Sequence, residues 1–319
     1  METRTLGNTG FRIAPLMFGG NVFGWTANEP TSFRLLDAFT DAGFNAVDTA
    51  DTYTRWVPGN TGGDSERVIG KWLSQTGKRD KIMLATKVGG VFSEEKKGLK
   101  KDYILRSIDD SLQRLQTDYI DLYQTHYDDA ETPIEETLET YAAIVKSGKV
   151  RAIGTSNMSL ERIIASAAIS REKGYPSYQT LQPEYNLFDR EKFETEYGPY
   201  AIEHNLGVIP YFALASGFLT GKYRKEEDIA GSSRAKYLSK YMTSRGFRIL
   251  DALDAVAARY NAKPGMVAIA WLMNRPGVTA PIASATNLQQ LNELIRAVSL
   301  RLDTDAMQLL NDASDYERE

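Results

Sequence analysis

FNAVDTADTY, residues 44–53, is an apolar, strand-like run that ends abruptly in Asp48, Asp51 and Tyr53. A carboxylate at a strand end either caps the next element or sits in a site, and the surrounding chain decides which. The same rhythm recurs eight times: LMFGGN (16–21), FNAVDTA (44–50), IMLATK (82–87), IDLYQTH (120–126), VRAIGTS (150–156), SYQTLQPEYN (177–186), GVIPYFAL (207–214) and VTAPIAS (278–284). Helix signals lie between these runs. Residues 31–42 start at Thr31, repeat Phe33, Leu36 and Phe39, and stop at Gly43. Residues 102–115 place Ile104, Ile108, Leu112 and Leu115 on one face. Residues 132–147 offer Thr132 as N-cap, Pro133 at the first helical position, Glu135 and Glu136 in the first turn, and Gly148 as terminator.

Strands nearly continuous in apolar residues, alternating with helices, predict a parallel sheet covered on its outside. Eight of them in 319 residues match an α/β fold, the (β/α)8 TIM barrel, as a single domain over 1–319. An N-terminal β-hairpin (TRTL, the turn GNTG, then FRIAP) precedes it. A doubly wound open sheet is the competing arrangement. No early strand is followed by G-x-G-x-x-G, and MFGGNVFG lacks that spacing. One connection, 215–246, is polar and basic, and its length suits a segment that covers a site or moves.

Apolar residues at 42% and charged residues at 25% are the balance of a soluble globular chain with ample core. The net charge of −4 argues against nucleic acid or an anionic membrane as partner, and no run of about 18 apolar residues occurs. METRTLGNTG lacks a signal-peptide apolar segment, so the expected location is cytoplasmic. With no cysteine and only His126 and His204, disulfides, thiolate sites and multi-histidine metal sites are excluded, though a carboxylate site for a hard cation is not. The basic run EEKKGLKK (94–101) has no interleaved aromatics and reads as a solvated loop. Nothing marks an interface, which leaves the oligomeric state open.

In a barrel of this type the C-terminal strand ends converge on one mouth. Those ends carry Asp48 with Tyr53 just beyond, Lys87 in LATK, His126 in YQTH, and GTSN at 154–157. Each residue alone has a structural reading, since acids cap loops and a lone histidine after a strand is often packed. Their convergence on successive strand ends favours a site. Together they form a proton-transfer device. An ammonium beside a phenol lowers its pKa, a carboxylate keeps the buried ammonium charged, and a neutral imidazole orients a substrate oxygen.

FNAVDTADTYT followed by GGDSERVIGKWL, then LATK, DYIDLYQTH, RAIGTSN, QPEYN and LTGKY, resembles the aldo-keto reductases over essentially the whole chain. The resemblance is strongest to the branch with bacterial reductases and potassium-channel beta subunits. It implies NAD(P)H-dependent reversible reduction of an aldehyde or ketone, and a catalytic tetrad of Asp48, Tyr53, Lys87 and His126. Tyr53 is then the general acid, tuned by Lys87, which pairs with Asp48, while His126 positions the carbonyl.

By the same resemblance a nicotinamide dinucleotide lies across the mouth. Ser156, Asn157 and Gln182 match the carboxamide-holding positions, and Tyr211 matches the aromatic that stacks on the nicotinamide ring. Asn21 and Asp48 belong to the cofactor-binding set that the resemblance implies. Leu214, Ala215, Gly217 and Lys222 match the segment that wraps the pyrophosphate, and Ser284, Thr286, Gln290 and Glu293 match the adenosine end. A helix start near residue 287 favours phosphate through its free N–H groups. Many relatives carry a lysine or arginine there for the 2′-phosphate. This chain has Ser284, Asn287 and Gln290, so the cation falls to Lys222 or Arg234, with NADP the expected cofactor and NAD the alternative. Trp25, Trp56 and His126, with the 215–246 segment, are the substrate-side candidates, and aromatic walls suit apolar or ring-bearing carbonyls.

Two other readings compete. Lys87 could form a Schiff base in an aldolase or lyase. A nicotinamide-binding redox sensor that docks to a partner is the second. His126 stands where the channel subunits carry asparagine, which favours turnover.

Overall fold

A computed structural model describes residues 2–92, 97–232 and 234–317. The hairpin is present as antiparallel β1 (Arg4–Thr5) and β2 (Arg12–Ile13). Eight parallel strands follow: β3 (Met17–Gly19), β4 (Ala46–Asp48), β5 (Met83–Val88), β6 (Ile120–Thr125), β7 (Val150–Ser156), β8 (Thr180–Gln182), β9 (Gly207–Val208) and β10 (Ile282–Ala283). Neighbours in the sheet run β10-β3-β4-β5-β6-β7-β8-β9. The two ends meet where Thr279 N–H donates to Val208 O (2.8 Å) and Ile282 N–H to Pro210 O (2.9 Å), closing a (β/α)8 barrel.

All eight predicted runs contain a strand, but several are shorter than their apolar stretch. The run 177–186 is a strand only over Thr180–Gln182, and 207–214 only over Gly207–Val208. Pro183 and Pro210 have no N–H for the ladder, so regular pairing is interrupted there and an isolated Glu184–Tyr211 bridge follows. Two helix starts also differ. The first helix begins at Glu29, not Thr31: Asn28 accepts from Thr31 N–H and Pro30 occupies the first turn. The helix assigned to 132–147 spans Ile134–Lys146 with Pro133 as the flanking residue. Thr132 gives its hydroxyl proton to Asp129 (2.6 Å) instead of capping the helix. The segment 102–115 is helical over Lys101–Leu115.

Strand alternation sorts the core into two layers. Val47, Leu84, Tyr123 and Ile153 face outward and pack with helix residues such as Trp72, Ile104, Ile108 and Leu138. Ala46, Ala85, Leu122 and Ala152 fill the interior, along with Met17, Met83 and Ile282, above Leu6 and Ile13 of the hairpin. The hairpin seals the floor by close approach. At Gly7 (φ +53°) a Cβ would lie 2.4 Å from Gln179 O and 2.6 Å from Gly207 N. Arg4 adds hydrogen bonds to the carbonyls of Met273, Val278 and Thr279. Two or four residues beyond each of these interior positions the same face reaches the opposite end of the barrel. Asp48 follows Ala46, Lys87 follows Ala85, Gln124 and His126 follow Leu122, and Ser156 follows Ala152.

The 215–246 connection is not a structureless loop. It holds a 3-10 stretch at Ala215–Thr220, short helices at Glu226–Ile229 and Ala235–Leu238, and the start of a long helix, Ser244–Arg259. Lys240 fixes it to Glu184 (2.7 Å) and Asp189 (3.1 Å). Of the basic run 94–101, residues 94–96 lie outside the described residues. Among the described residues no helix is long and apolar enough to cross a membrane.

Candidate active site

At the C-terminal mouth the Lys87 ammonium, fully buried, donates to Asp48 Oδ2 (2.7 Å), Thr49 O (2.8 Å) and the Tyr53 hydroxyl (2.9 Å). Asp48 pairs with Ala85, two residues before Lys87 on the same inward face, and Lys87 pairs with Gln124, so inward positions of three adjacent strands come within reach of one another. Tyr53 comes back over the pair from the turn that follows β4 and places its ring 4.6 Å from the ammonium. The other Asp48 oxygen accepts from Gln182 Nε2 (2.9 Å) and Gln124 Nε2 (3.2 Å). Asp48 is thereby held by three side chains from three strands. Gln124 escaped the sequence reading, although its spacing of two from both Leu122 and His126 puts it on the inward face.

His126 continues that face, its ring 5.9 Å from the Tyr53 ring and stacked on Tyr127 at 4.7 Å. Burial first, and the Lys87 charge second, hold its pKa well below the usual histidine value, so the ring is neutral. Its buried Nδ1 has no hydrogen-bond partner. Burial lowers the Lys87 pKa, opposed by Asp48. Tyr53 departs from expectation. Its enclosure and the Asp48 charge push the phenol well above its ordinary value, outweighing the nearby ammonium. The phenol therefore keeps its proton.

The remaining predicted residues fall in three groups around the mouth. Ser156 donates to Gln182 O (2.8 Å), Asn157 Nδ2 to His126 O (2.9 Å), and the Tyr211 hydroxyl to Asn157 Oδ1 (2.9 Å), so Tyr211 is tethered to the strand ends. Leu214 precedes three successive residues with positive φ, Ala215 (48°), Ser216 (57°) and Gly217 (97°). Lys222 lies over the Tyr223 ring (4.8 Å) and Arg234 over the Trp25 ring (5.6 Å). Neither forms a salt bridge among the described residues. On the far side the Ser284 hydroxyl sits 2.6 Å from Asn21 Oδ1. Asn287 caps helix Leu288–Ala297 by accepting from Gln290 N–H (2.9 Å), and Gln290 Oε1 accepts from Thr286 N–H (2.8 Å). Part of the N–H supply expected near 287 is thus already spent. Glu293 pairs with Lys263, a cation no sequence spacing indicated.

Trp25 and Trp56 meet edge to face at 5.7 Å, and Trp56 meets Tyr53 at 6.2 Å. Trp56, Tyr127, Phe212 and Tyr237 are exposed, and Tyr237 contacts Phe212 beside Tyr211. Exposed rings are thus concentrated around the mouth. Among the described residues no cluster of His, Asp and Glu is arranged to hold a metal ion.

Residues 15–315 match the profile of the Aldo/keto reductase family. An uncharacterized oxidoreductase, YrpG, of Bacillus subtilis (strain 168) is 36% identical over 98% of this chain and 95% of its own length. Aldo-keto reductase YhdN of the same organism is 33% identical over 98% and 93% of the two chains. A probable voltage-gated potassium channel subunit beta of Oryza sativa subsp. japonica is 32% identical over 94% and 92%.

Proposed function

The chain belongs to the aldo/keto reductase family and is an oxidoreductase, and from that premise we propose that it reduces aldehydes or ketones to alcohols, reversibly, with Tyr53 giving the proton. The observation that carries this is the Lys87 ammonium bridging Asp48 and the Tyr53 hydroxyl, both within 3 Å. A carbonyl oxygen that gains negative charge takes the Tyr53 proton, and the ammonium beside it stabilises the phenolate left behind. Neutral His126 orients that oxygen without adding a competing charge. Gln124 and Gln182 keep Asp48 fixed, so the ammonium stays aimed at the phenol.

The polar rim fits a nicotinamide dinucleotide. Ser156, Asn157 and Gln182 offer amide and hydroxyl partners to a carboxamide, and Tyr211 offers a tethered ring face. Lys222 and Arg234, without carboxylate partners, suit phosphates, and the second makes NADP the favoured form over NAD. When bound, the reduced nicotinamide supplies the hydride. The aromatic rim suits ring-bearing carbonyls. A Schiff-base role for Lys87 conflicts with its bonding, because all three ammonium protons are committed and no free amine is presented.

The test is single turnover: protein preloaded with NADPH or NADH meets a reactive aromatic aldehyde while reduced-nicotinamide fluorescence is followed. Fast loss in the native protein, slowed about 10²–10⁴-fold in Tyr53→Phe with cofactor affinity retained, is expected. Near-native turnover in the variant would remove the acid assignment. Binding without turnover would favour the alternative reading, a nicotinamide-binding redox sensor that docks to a partner.

A further inference from the structure

Asp51 is the residue of the FNAVDTADTY stretch that the proposed chemistry leaves unused. It is 1% exposed, and neither carboxyl oxygen has a hydrogen-bond partner. The Thr52 N–H pulls on it without meeting hydrogen-bond geometry. Its own N–H reaches back to Lys87 O (3.4 Å), which ties it to the tetrad's strand. We propose that Asp51 is a positioning residue for the tetrad, a buried carboxylic acid that keeps its proton so that the pocket behind Lys87 and Tyr53 carries no extra charge. This rests on the reductase reading only for its effect on turnover.

Two cations face this region, Lys87 from β5 and Arg114 from helix Lys101–Leu115. Lys87 has given its three protons to Asp48, Thr49 and Tyr53. Arg114 has turned Nε to Glu66 (2.6 Å), a fully buried residue of helix Asp64–Thr76, and Nη2 to Ser111 (3.1 Å). Glu66 takes its other bond from the Thr86 hydroxyl (2.6 Å). Each cation is thus matched to one carboxylate, and Asp51 is the third carboxyl. Left ionised it would be a buried charge without a partner, which costs several kcal/mol and is avoided by holding a proton. The other groups that feel it are the phenols of Tyr103 on the Arg114 helix, Tyr123 on β6 and Tyr141 on helix Ile134–Lys146. The first two have no hydrogen-bond partner of their own. Burial, then Glu66, drives the Asp51 pKa well up from 3.8, the direction expected of an unpartnered buried carboxyl. An ionised Asp51 would hold the Tyr53 proton more tightly and compete for the Lys87 ammonium.

Asp51→Asn is the direct test, because the amide is neutral and nearly isosteric. A carboxyl that stays protonated in the fold but ionises in the unfolded chain makes the folded state less stable as pH rises above about 4. Asp51→Asn removes that term, so its Tm advantage over the native protein should grow as pH rises from about 5 to about 8. Infrared spectra at neutral pH should show the carbonyl stretch of a protonated carboxyl, lost in the variant. Both readouts are independent of turnover. Under the reductase reading, Asp51→Asn should also keep kcat within about threefold at neutral pH and move the alkaline fall in kcat/KM upward. A Tm deficit constant across pH, or no protonated-carboxyl band, would overturn the proposal by making Asp51 an ionised partner. Absence of turnover in the native protein would overturn the reductase reading instead, with the infrared and Tm results still deciding Asp51.

Discussion

Lys87 has three N–H bonds to give and gives all of them, so its replacement reaches three neighbours at once. In Lys87→Met the Asp48 carboxylate loses its cation while keeping the two glutamine amides. Breaking a buried pair by removing one partner costs about 3–5 kcal/mol, which urea unfolding at neutral pH should register. The same change removes the charge that favours phenolate. Burial and Asp48 already push Tyr53 up, and without the ammonium nothing opposes them. Alcohol oxidation requires the ionised phenol, so its onset should move to higher pH in the variant. An unmoved onset, with stability lost, would leave Lys87 a structural ion and no more. At this scale the sequence was most legible. Asp48, Lys87 and His126 stand at strand ends where alternation alone puts them inward, and Tyr53 follows in the turn after β4. The direction of the Tyr53 shift was not legible, because spacing reports the neighbouring charge and not the degree of enclosure.

Elements were legible in number and kind, less so in length. The eight apolar runs all hold strands because apolar continuity marks burial on both faces. Apolar residues also run on past the last ladder bond, which is why 177–186 yields three strand residues. The helix start at Asn28 was missed since Thr31 mimics a cap, yet Thr31 N–H is the group that Asn28 caps. Helix contacts were invisible for a different reason, as they depend on what lies opposite. Gly70 in helix Asp64–Thr76 is the clearest case. A Cβ there would stand 2.1 Å from Arg114 O and 2.8 Å from Leu115 C, backbone that cannot swing aside. By helix propensity alone Gly70→Ala should gain about 1 kcal/mol. Overpacking of about 1–3 kcal/mol opposes that gain, and it would push apart the two helices that carry Glu66 and Arg114. The contact wins, so Gly70→Ala should lower the urea midpoint. A raised midpoint would mean that the helices separate without cost.

For the whole molecule, the barrel divides its two tasks between its ends. The mouth holds the charged and aromatic groups, and the floor holds Leu6 and Ile13 of the hairpin against Met17 and Met83. The interior between them is filled by Ala46, Ala85 and Ala152 together with Leu122, Ile209 and Ile282, so it is a packed core and not an open channel between the ends. Leu6 is fully buried, and its side chain meets Gly207 so closely that a Cβ there would lie 2.7 Å from Leu6 Cδ1. Leu6→Ala should therefore cost about 2–5 kcal/mol, lost transfer energy plus an unfilled floor. The strands themselves are paired by backbone bonds that the substitution does not touch, so Asp48, Lys87 and Tyr53 should keep their mutual distances. The expected pairing is a lowered urea midpoint with kcat/KM unchanged in the fraction that remains folded. A fall in kcat/KM at preserved stability would show that the floor sets the geometry of the mouth, and that the two ends are not separable.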